Sequence, residues 1–207
     1  MQTHYQRILP HILPPGESVF ITYRLAGSIP TDVMLRFIEE KQQAIRRTTR
    51  REDDTEINRK MVYDEHKRHL ARFDQYLDQA TDGPHWLRQP GVAAIIKEGL
   101  HHRDGMDYDL HTYCIMSNHV HLLVTIRHKY RPLQLTLKSL KGYSARKANE
   151  LLNRTGQPFW QPESYDHVVR DASEFNRIVA YILNNPVKAG LVESWEEWSY
   201  IYWAENL

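Results

Sequence analysis

Two apolar, β-like stretches, Tyr108 to Met116 and His119 to Ile126, meet across Ser117-Asn118. Serine and asparagine are turn residues, so the segment predicts two strands of a β-hairpin. That hairpin fixes the most informative side chains of the chain. His119 and His121 stand one residue apart at the start of its second arm. Side chains alternate along a strand, so the two imidazoles point to the same face. Two neutral imidazoles placed side by side can hold one divalent cation. Taken alone, a His-x-His pair more simply lines the polar face of a half-buried strand.

The rest of the chain reads as helices around such a sheet. Ser18 to Gly27 is β-branched and aromatic, closes on glycine and predicts a strand. Thr31 or Asp32 can cap a helix beginning near Val33, with Leu35, Ile38 and Ile45 as its apolar positions. Residues 46–85 are polar, with Met61, Leu70, Phe73 and Leu77 at roughly helical spacing, and end at Gly83-Pro84. A short helix follows through Val92, Ile95, Ile96 and Leu100. Leu133, Leu137, Leu140, Ala148 and Leu151 mark an amphipathic helix over Leu133 to Asn153. Phe159-Trp160 opens an extended segment, and Tyr165 to Arg170 predicts a further strand. Ser173 is placed to cap a last helix through Phe175, Ile178, Val179 and Ile182, which Pro186 should end. This order of elements predicts an α+β fold, an antiparallel sheet covered by helices. We expect one domain over residues 1–207, with a helical insertion at about 40–90 and an aromatic tail at about 193–207. Trp195, Trp198, Tyr200, Tyr202 and Trp203 in that tail should pack against the sheet or helices rather than stack on a ligand.

Charge narrows the chemistry. The net charge of the 207 residues is only +1, yet no acidic residue lies between Asp109 and Glu150. Arg127, Lys129, Arg131, Lys138, Lys141, Arg146 and Lys147 all fall in that window. A local basic field beside a metal site suits a phosphate-bearing substrate. The single cysteine, Cys114, cannot form an internal disulfide. No apolar stretch approaches the ~20 residues of a membrane span, and the N-terminus lacks a secretory apolar core. A cytoplasmic protein without a membrane partner is expected.

A phosphoryl-transfer site also needs a nucleophile. In Tyr181-Ile182-Leu183-Asn184-Asn185-Pro186, the phenol of Tyr181 and the amide of Asn185 are four residues apart and share one helix face. A phenol can attack phosphorus, and an amide oxygen can complete a metal shell. Tyr143, in Lys141-Gly142-Tyr143-Ser144-Ala145-Arg146, is a rival nucleophile on the basic helix.

The stretch Met116-Ser117-Asn118-His119-Val120-His121-Leu122-Leu123 resembles the His-hydrophobe-His motif of the single-tyrosine (HUH) transposases. Phe159-Trp160-Gln161-Pro162, Tyr165-Asp166-His167 and the run from Tyr181 to Val192 resemble the REP-associated tyrosine transposases. So do Pro10 to Gly16 and Phe20-Ile21-Thr22-Tyr23-Arg24-Leu25. The ordered set spans most of the chain except roughly residues 40–90. The resemblance implies a ferredoxin-like domain acting on single-stranded or hairpin DNA. It implies His119 and His121 as ligands of Mg²⁺ or Mn²⁺, Tyr181 as the nucleophile, and Asn185 as the third ligand. Strand cleavage would then pass through a 5′-phosphotyrosine without a nucleotide cofactor, and no P-loop is present to suggest otherwise. Two other classes compete. A catalytically silent nucleic-acid binder would share the basic window and the aromatics without needing the histidine–tyrosine geometry. A zinc hydrolase would need a third ligand and a base, and neither a His-Glu-x-x-His motif nor a cysteine cluster is present.

Overall fold

The computed structural model describes residues 16–49, 55–127 and 132–204. They form two compact units: the described residues of Met1–Ala26 with His85–Leu207, and Gly27–Pro84.

The first unit is built on a five-stranded antiparallel sheet. Its strands are β1 (Ser18–Leu25), β2 (Tyr108–Ile115), β3 (His119–Ile126), β4 (Trp160–Val168) and β5 (Ile201–Trp203). They lie in the order β4-β1-β3-β2-β5. The first four strands have the ferredoxin-like order, in which β3 lies between β1 and β2. The hairpin turns at Ser117-Asn118, and Met116 N–H donates to His119 O at 2.9 Å.

Alternation along the strands gives the sheet two distinct faces. Val19, Ile21, Tyr23 and Leu25 of β1 join Val120, Leu122, Val124 and Ile126 of β3 in one apolar core. Tyr108, Leu110, Tyr113 and Ile115 of β2 reach the same core, because a register shift between Leu110 and Thr112 restores their phase. Two helices cover this face: α3 (Pro90–His101) through Val92, Ile96 and Leu100, and α4 (Leu133–Leu151) through Leu133, Leu137, Leu140 and Ala148. Gly99 lets them approach closely, since a Cβ there would lie 3.0 Å from Leu140 Cδ1. The opposite face carries His119, His121, Phe20, Thr22 and Leu123, and α5 (Ala172–Leu183) packs on it.

Several local expectations are corrected. The cap of α5 is Asp171, whose side chain accepts from Glu174 N–H at 2.7 Å, and not Ser173. The helix does end ahead of Pro186 as expected, at Leu183, but a new turn follows at once, and Pro186 is part of it. It sits in the first turn of a short helix, α6 (Asn185–Lys188), where its missing N–H costs no hydrogen bond. The strand expected at Tyr165 to Arg170 begins earlier, at Trp160, because Trp160 Nε1 donates to Ser144 Oγ and its ring packs on Tyr23. The aromatic tail extends the sheet as β5 beside β2. Tyr202 stacks on Tyr113, and Trp198 Nε1 donates to Ile115 O at 3.1 Å.

The second unit holds α1 (Thr31–Thr49), where a helix was expected from near Val33, and α2 (Thr55–Gln79). Phe37 lies among the rings of His69, Phe73 and Tyr76, and His69 Nε2 donates to Phe37 O at 2.9 Å. Leu70 and Leu77 are buried. No helix among the described residues of the chain is long and apolar enough to cross a membrane.

Candidate active site

The pairing of β1 with β3 sets Thr22 opposite His121 and Arg24 opposite His119. Cross-strand partners share a face, so these four side chains converge on the side covered by α5. Both imidazoles are fully buried. Their Nε2 atoms face each other at 3.0 Å. Each outer nitrogen is held by a hydrogen-bonding partner: His119 Nδ1 by Asn118 Oδ1 at 2.7 Å, and His121 Nδ1 by Thr22 Oγ1 at 2.9 Å.

These contacts decide the protonation pattern. Burial pushes the pKa of His119 down to about 3. Burial, then the neighbouring His119 and the charge of Lys188, holds His121 well below the usual histidine range. Both rings are therefore neutral at physiological pH. The Asn118 carbonyl oxygen only accepts, so His119 carries its proton on Nδ1 and presents a bare lone pair at Nε2. Nε2–H of His121 closes the contact by donating to that lone pair. With a proton on Nδ1 donated to Thr22 instead, His121 would present a second lone pair to the same point. Fixing the outer nitrogen so that the inner one is free to ligate is how metal-binding histidines are oriented.

Helix α5 brings Tyr181 to this pair. Its ring stands 5.7 Å from the His121 ring and 6.0 Å from Phe20, edge-on to both. One turn later, Asn185 is fully buried. Its Nδ2 donates to Tyr181 O at 3.0 Å, while its Oδ1 is buried without a hydrogen-bond partner among the described residues. Leaving such an acceptor unmet costs about 1–3 kcal/mol, so this oxygen is a group in want of a donor or a cation. The donor set of two neutral imidazoles and one amide oxygen fits a divalent metal. Among the described residues, no cluster of three or more His, Cys, Asp or Glu side chains supplies another metal site.

The other expected residues lie elsewhere. Tyr143 is on α4, which packs on the far side of the sheet from the histidines, and its hydroxyl donates to Glu98 Oε1 at 2.9 Å. That bond to a carboxylate raises its pKa, which disfavours a phenolate. Of the basic window, Lys129 and Arg131 lie outside the described residues. Arg127 pairs with Asp109 at 2.9 Å, and Arg146 with Glu150 at 3.2 Å. Lys141 turns inward: Nζ donates to the carbonyls of Gln161 and Pro162 and to Ser164 Oγ at 2.8–3.2 Å, binding α4 to β4. Lys138 and Lys147 are exposed. Asn118, Thr22 and Lys188 were not singled out from the sequence. Asn118 is indistinguishable there from a turn residue and Thr22 from any strand threonine. Lys188 Nζ lies 4.7 Å over the Tyr181 ring.

Residues 90–185, which include His119, His121, Tyr181 and Asn185, match the family model described as "Transposase IS200 like". Over 95 residues the chain is 30% identical to a protein of Haemophilus influenzae (strain ATCC 51907 / DSM 11121 / KW20 / Rd) named "Putative REP-associated tyrosine transposase". That alignment takes in 42% of this chain and 54% of the relative, so the chain spans about half the relative's length. In fold, the chain is similar to a solved structure of a REP-associated tyrosine transposase bound to a REP hairpin. The TM-score is 0.53 at 14% identity, over 97% of this chain and 82% of the other. The resemblance read from the motifs is thus found again by family, by sequence and by fold.

Proposed function

We propose, proceeding from the match to IS200-like transposases, that the protein binds hairpin-bearing single-stranded DNA and cuts and rejoins it through Tyr181. The observation that carries this reading is the packing of a phenol ring 5.7 Å from one of two facing imidazoles, four residues before an amide oxygen that is buried without a hydrogen-bond partner among the described residues. His119, His121 and Asn185 would hold a Mg²⁺ or Mn²⁺ ion. When bound, the ion supplies Lewis-acid polarisation of a phosphate oxygen.

The chain's own residues account for the remaining steps. Phe20 and His121 hold the Tyr181 ring edge-on and so limit its rotation. A nucleophile restrained in this way loses little orientational freedom on attack. Its oxygen bonds to phosphorus, the bond from phosphorus to the 3′-oxygen breaks, and the phenolic proton is balanced by the new 3′-hydroxyl. The product is a 5′-phosphotyrosine. It conserves the phosphodiester, so a second 3′-hydroxyl can reverse the step and join a new strand without a nucleotide cofactor.

The test is to incubate labelled hairpin single strands with the protein and Mn²⁺ and to look for a denaturation-resistant adduct. Wild type and Tyr143→Phe should form it. Tyr181→Phe, which removes only the attacking oxygen, should bind DNA without forming it. Adduct formation by Tyr181→Phe would overturn the assignment. Hairpin binding by wild type with no adduct on any strand would reduce the protein to a silent DNA binder.

A further inference from the structure

The turn that leads into His119 is tied to an aromatic group at the same end of the sheet. Ser117 Oγ and His85 Nδ1 are hydrogen-bonded at 2.9 Å, and Leu87 N–H donates to Ser117 O at 3.2 Å. Trp86 lies between these two anchors, in a single 3-10 turn, Trp86–Arg88. Its indole is stacked on the buried ring of Phe159, with centroids 5.7 Å apart. Phe159 O in turn accepts from Ala26 N–H, just past β1, at 2.9 Å. Trp86 packs against the apolar core, so it borders the end of the sheet from the side of α3 and α4, opposite the histidine face.

Arg154 lies on this indole, with its guanidinium carbon 3.9 Å from the ring centroid. The loop that presents it is fixed by hydrogen bonds. Arg154 N–H donates to Asn149 O at 2.7 Å, Gln157 N–H to Arg154 O at 3.0 Å, and Asn149 Nδ2 to Gln157 O at 2.7 Å. Asn153, at φ 55°, makes the left-handed step that turns the chain after α4. Glu150, the nearest acid in the sequence, is paired with Arg146. Among the described residues no side chain forms an ion pair or hydrogen bond with the Arg154 guanidinium, and its Nε is buried without a partner. A donor left so costs free energy, and stacking on the indole offsets that cost while fixing the plane of the group. The two Nη groups are the part left to reach solvent. A planar, pre-oriented guanidinium with no carboxylate on it matches two oxygens of one phosphate.

We infer that Arg154, held on Trp86, binds one backbone phosphate of the substrate strand where that strand passes the end of the sheet, at a linkage other than the one cut. The inference rests on the DNA-binding part of the reading above. Arg154 grips the non-bridging oxygens as a fork. Trp86 orients the fork and is a positioning residue. The site takes the charge of one linkage and reads no base. It lies outside the basic window of the sequence, because Glu150 closes that window four residues before Arg154.

The experiment uses a hairpin strand with unpaired flanks and the full-length protein carrying Tyr181→Phe, so that nothing is cut during the measurement. Each flanking phosphodiester is replaced in turn by a neutral methylphosphonate, and affinities are compared. The cut linkage, mapped from the wild-type adduct, is set aside. One other linkage should cost about tenfold when neutralised, the scale of one charged hydrogen bond. Adding Arg154→Gln should weaken binding of the unmodified strand by a similar factor, abolish the dependence on that linkage and lower the salt slope by about 0.7. Arg154→Lys, which keeps the charge but not the fork, should keep the salt slope and recover only part of the affinity. Should Arg154→Gln fail to fold, Arg154→Lys decides the matter through its reduced dependence on that linkage. Unchanged linkage dependence in the folded variants overturns the site. So does a loss of affinity that follows the identity of one base and no linkage. If wild type still forms adduct, either result overturns the phosphate site alone. Hairpin binding without adduct in wild type removes the cleavage reading and leaves the site to the linkage scan. Absence of any hairpin binding by wild type overturns both.

Discussion

Replacing Asn185 by leucine should separate the folding role of this residue from its metal role. Among the described residues, the amide donates from Nδ2 to Tyr181 O at 3.0 Å, and Oδ1 is buried without a hydrogen-bond partner. Losing the bond costs about 0.5–1.5 kcal/mol, and removing the unmet acceptor returns about 1–3 kcal/mol. Leucine has nearly the same size, so Asn185→Leu should be neutral or stabilising by about 1 kcal/mol in EDTA. With Mn²⁺ at a hundred times its dissociation constant, wild type should gain about 2.7 kcal/mol. For a chain of this size that is a rise in Tm of roughly 5–11 °C. The variant should lose most of that gain, so the order of stability reverses between chelator and metal. Thermal melts followed by circular dichroism, with and without Mn²⁺, read both effects. A loss of more than about 2 kcal/mol in EDTA would mean that Oδ1 is satisfied within the fold, and the ligand argument would fail. Equal metal-induced shifts in the two proteins would refute it as well.

Three further outcomes follow from the same geometry. Lys141→Met should cost about 1–3 kcal/mol by freeing its β4 acceptors, yet leave the salt dependence of DNA binding unchanged; by contrast, loss of the exposed Lys138 and Lys147 should lower the salt slope by about 0.7 for each phosphate contact removed. Tyr202→Ala, which removes a ring packed on Tyr113 and His101, should cost about 2–3 kcal/mol without a selective effect on DNA affinity; a fully stable variant with weakened binding would move the tail into the DNA interface. Burial lowers the pKa of both His101 and His111, so the unfolded chain binds protons more readily. Stability should be whole above about pH 6.5 and fall as the pH drops through it, and His111→Gln should lose less between about pH 6.5 and 5 than wild type.

Much of this protein is legible in its sequence because local patterns carry it. The alternation in His119–Ile126 fixes both the strand and the shared face of the histidines, and the spacing of Leu133, Leu137, Leu140 and Ala148 fixes α4. The interval of four between Tyr181 and Asn185 puts phenol and amide on adjacent turns, although the chain passes from α5 to α6 between them. Boundaries were less legible where a distant partner decides them. Trp160 becomes part of β4 only because Ser144 and Tyr23 receive it, and the tail becomes β5 only because β2 offers a free edge.

The site divides in the same way. Sequence by itself singled out the residues proposed to bear the chemistry, since ligand and nucleophile types are written in the side chains and their spacing. The motifs already favoured Tyr181 over Tyr143, and the tertiary structure supplied the spatial reason by bringing Tyr181, not Tyr143, beside the histidines. Tyr143 and Tyr181 both lie on helices near basic residues, but α4 and α5 pack on opposite faces of one sheet. It also turned Lys141 from an expected DNA contact into a strand clamp, and it brought Thr22, Arg24, Asn118 and Lys188 to the site. Strand order and helix placement depend on burial summed over the whole chain, and no short window of sequence contains that sum.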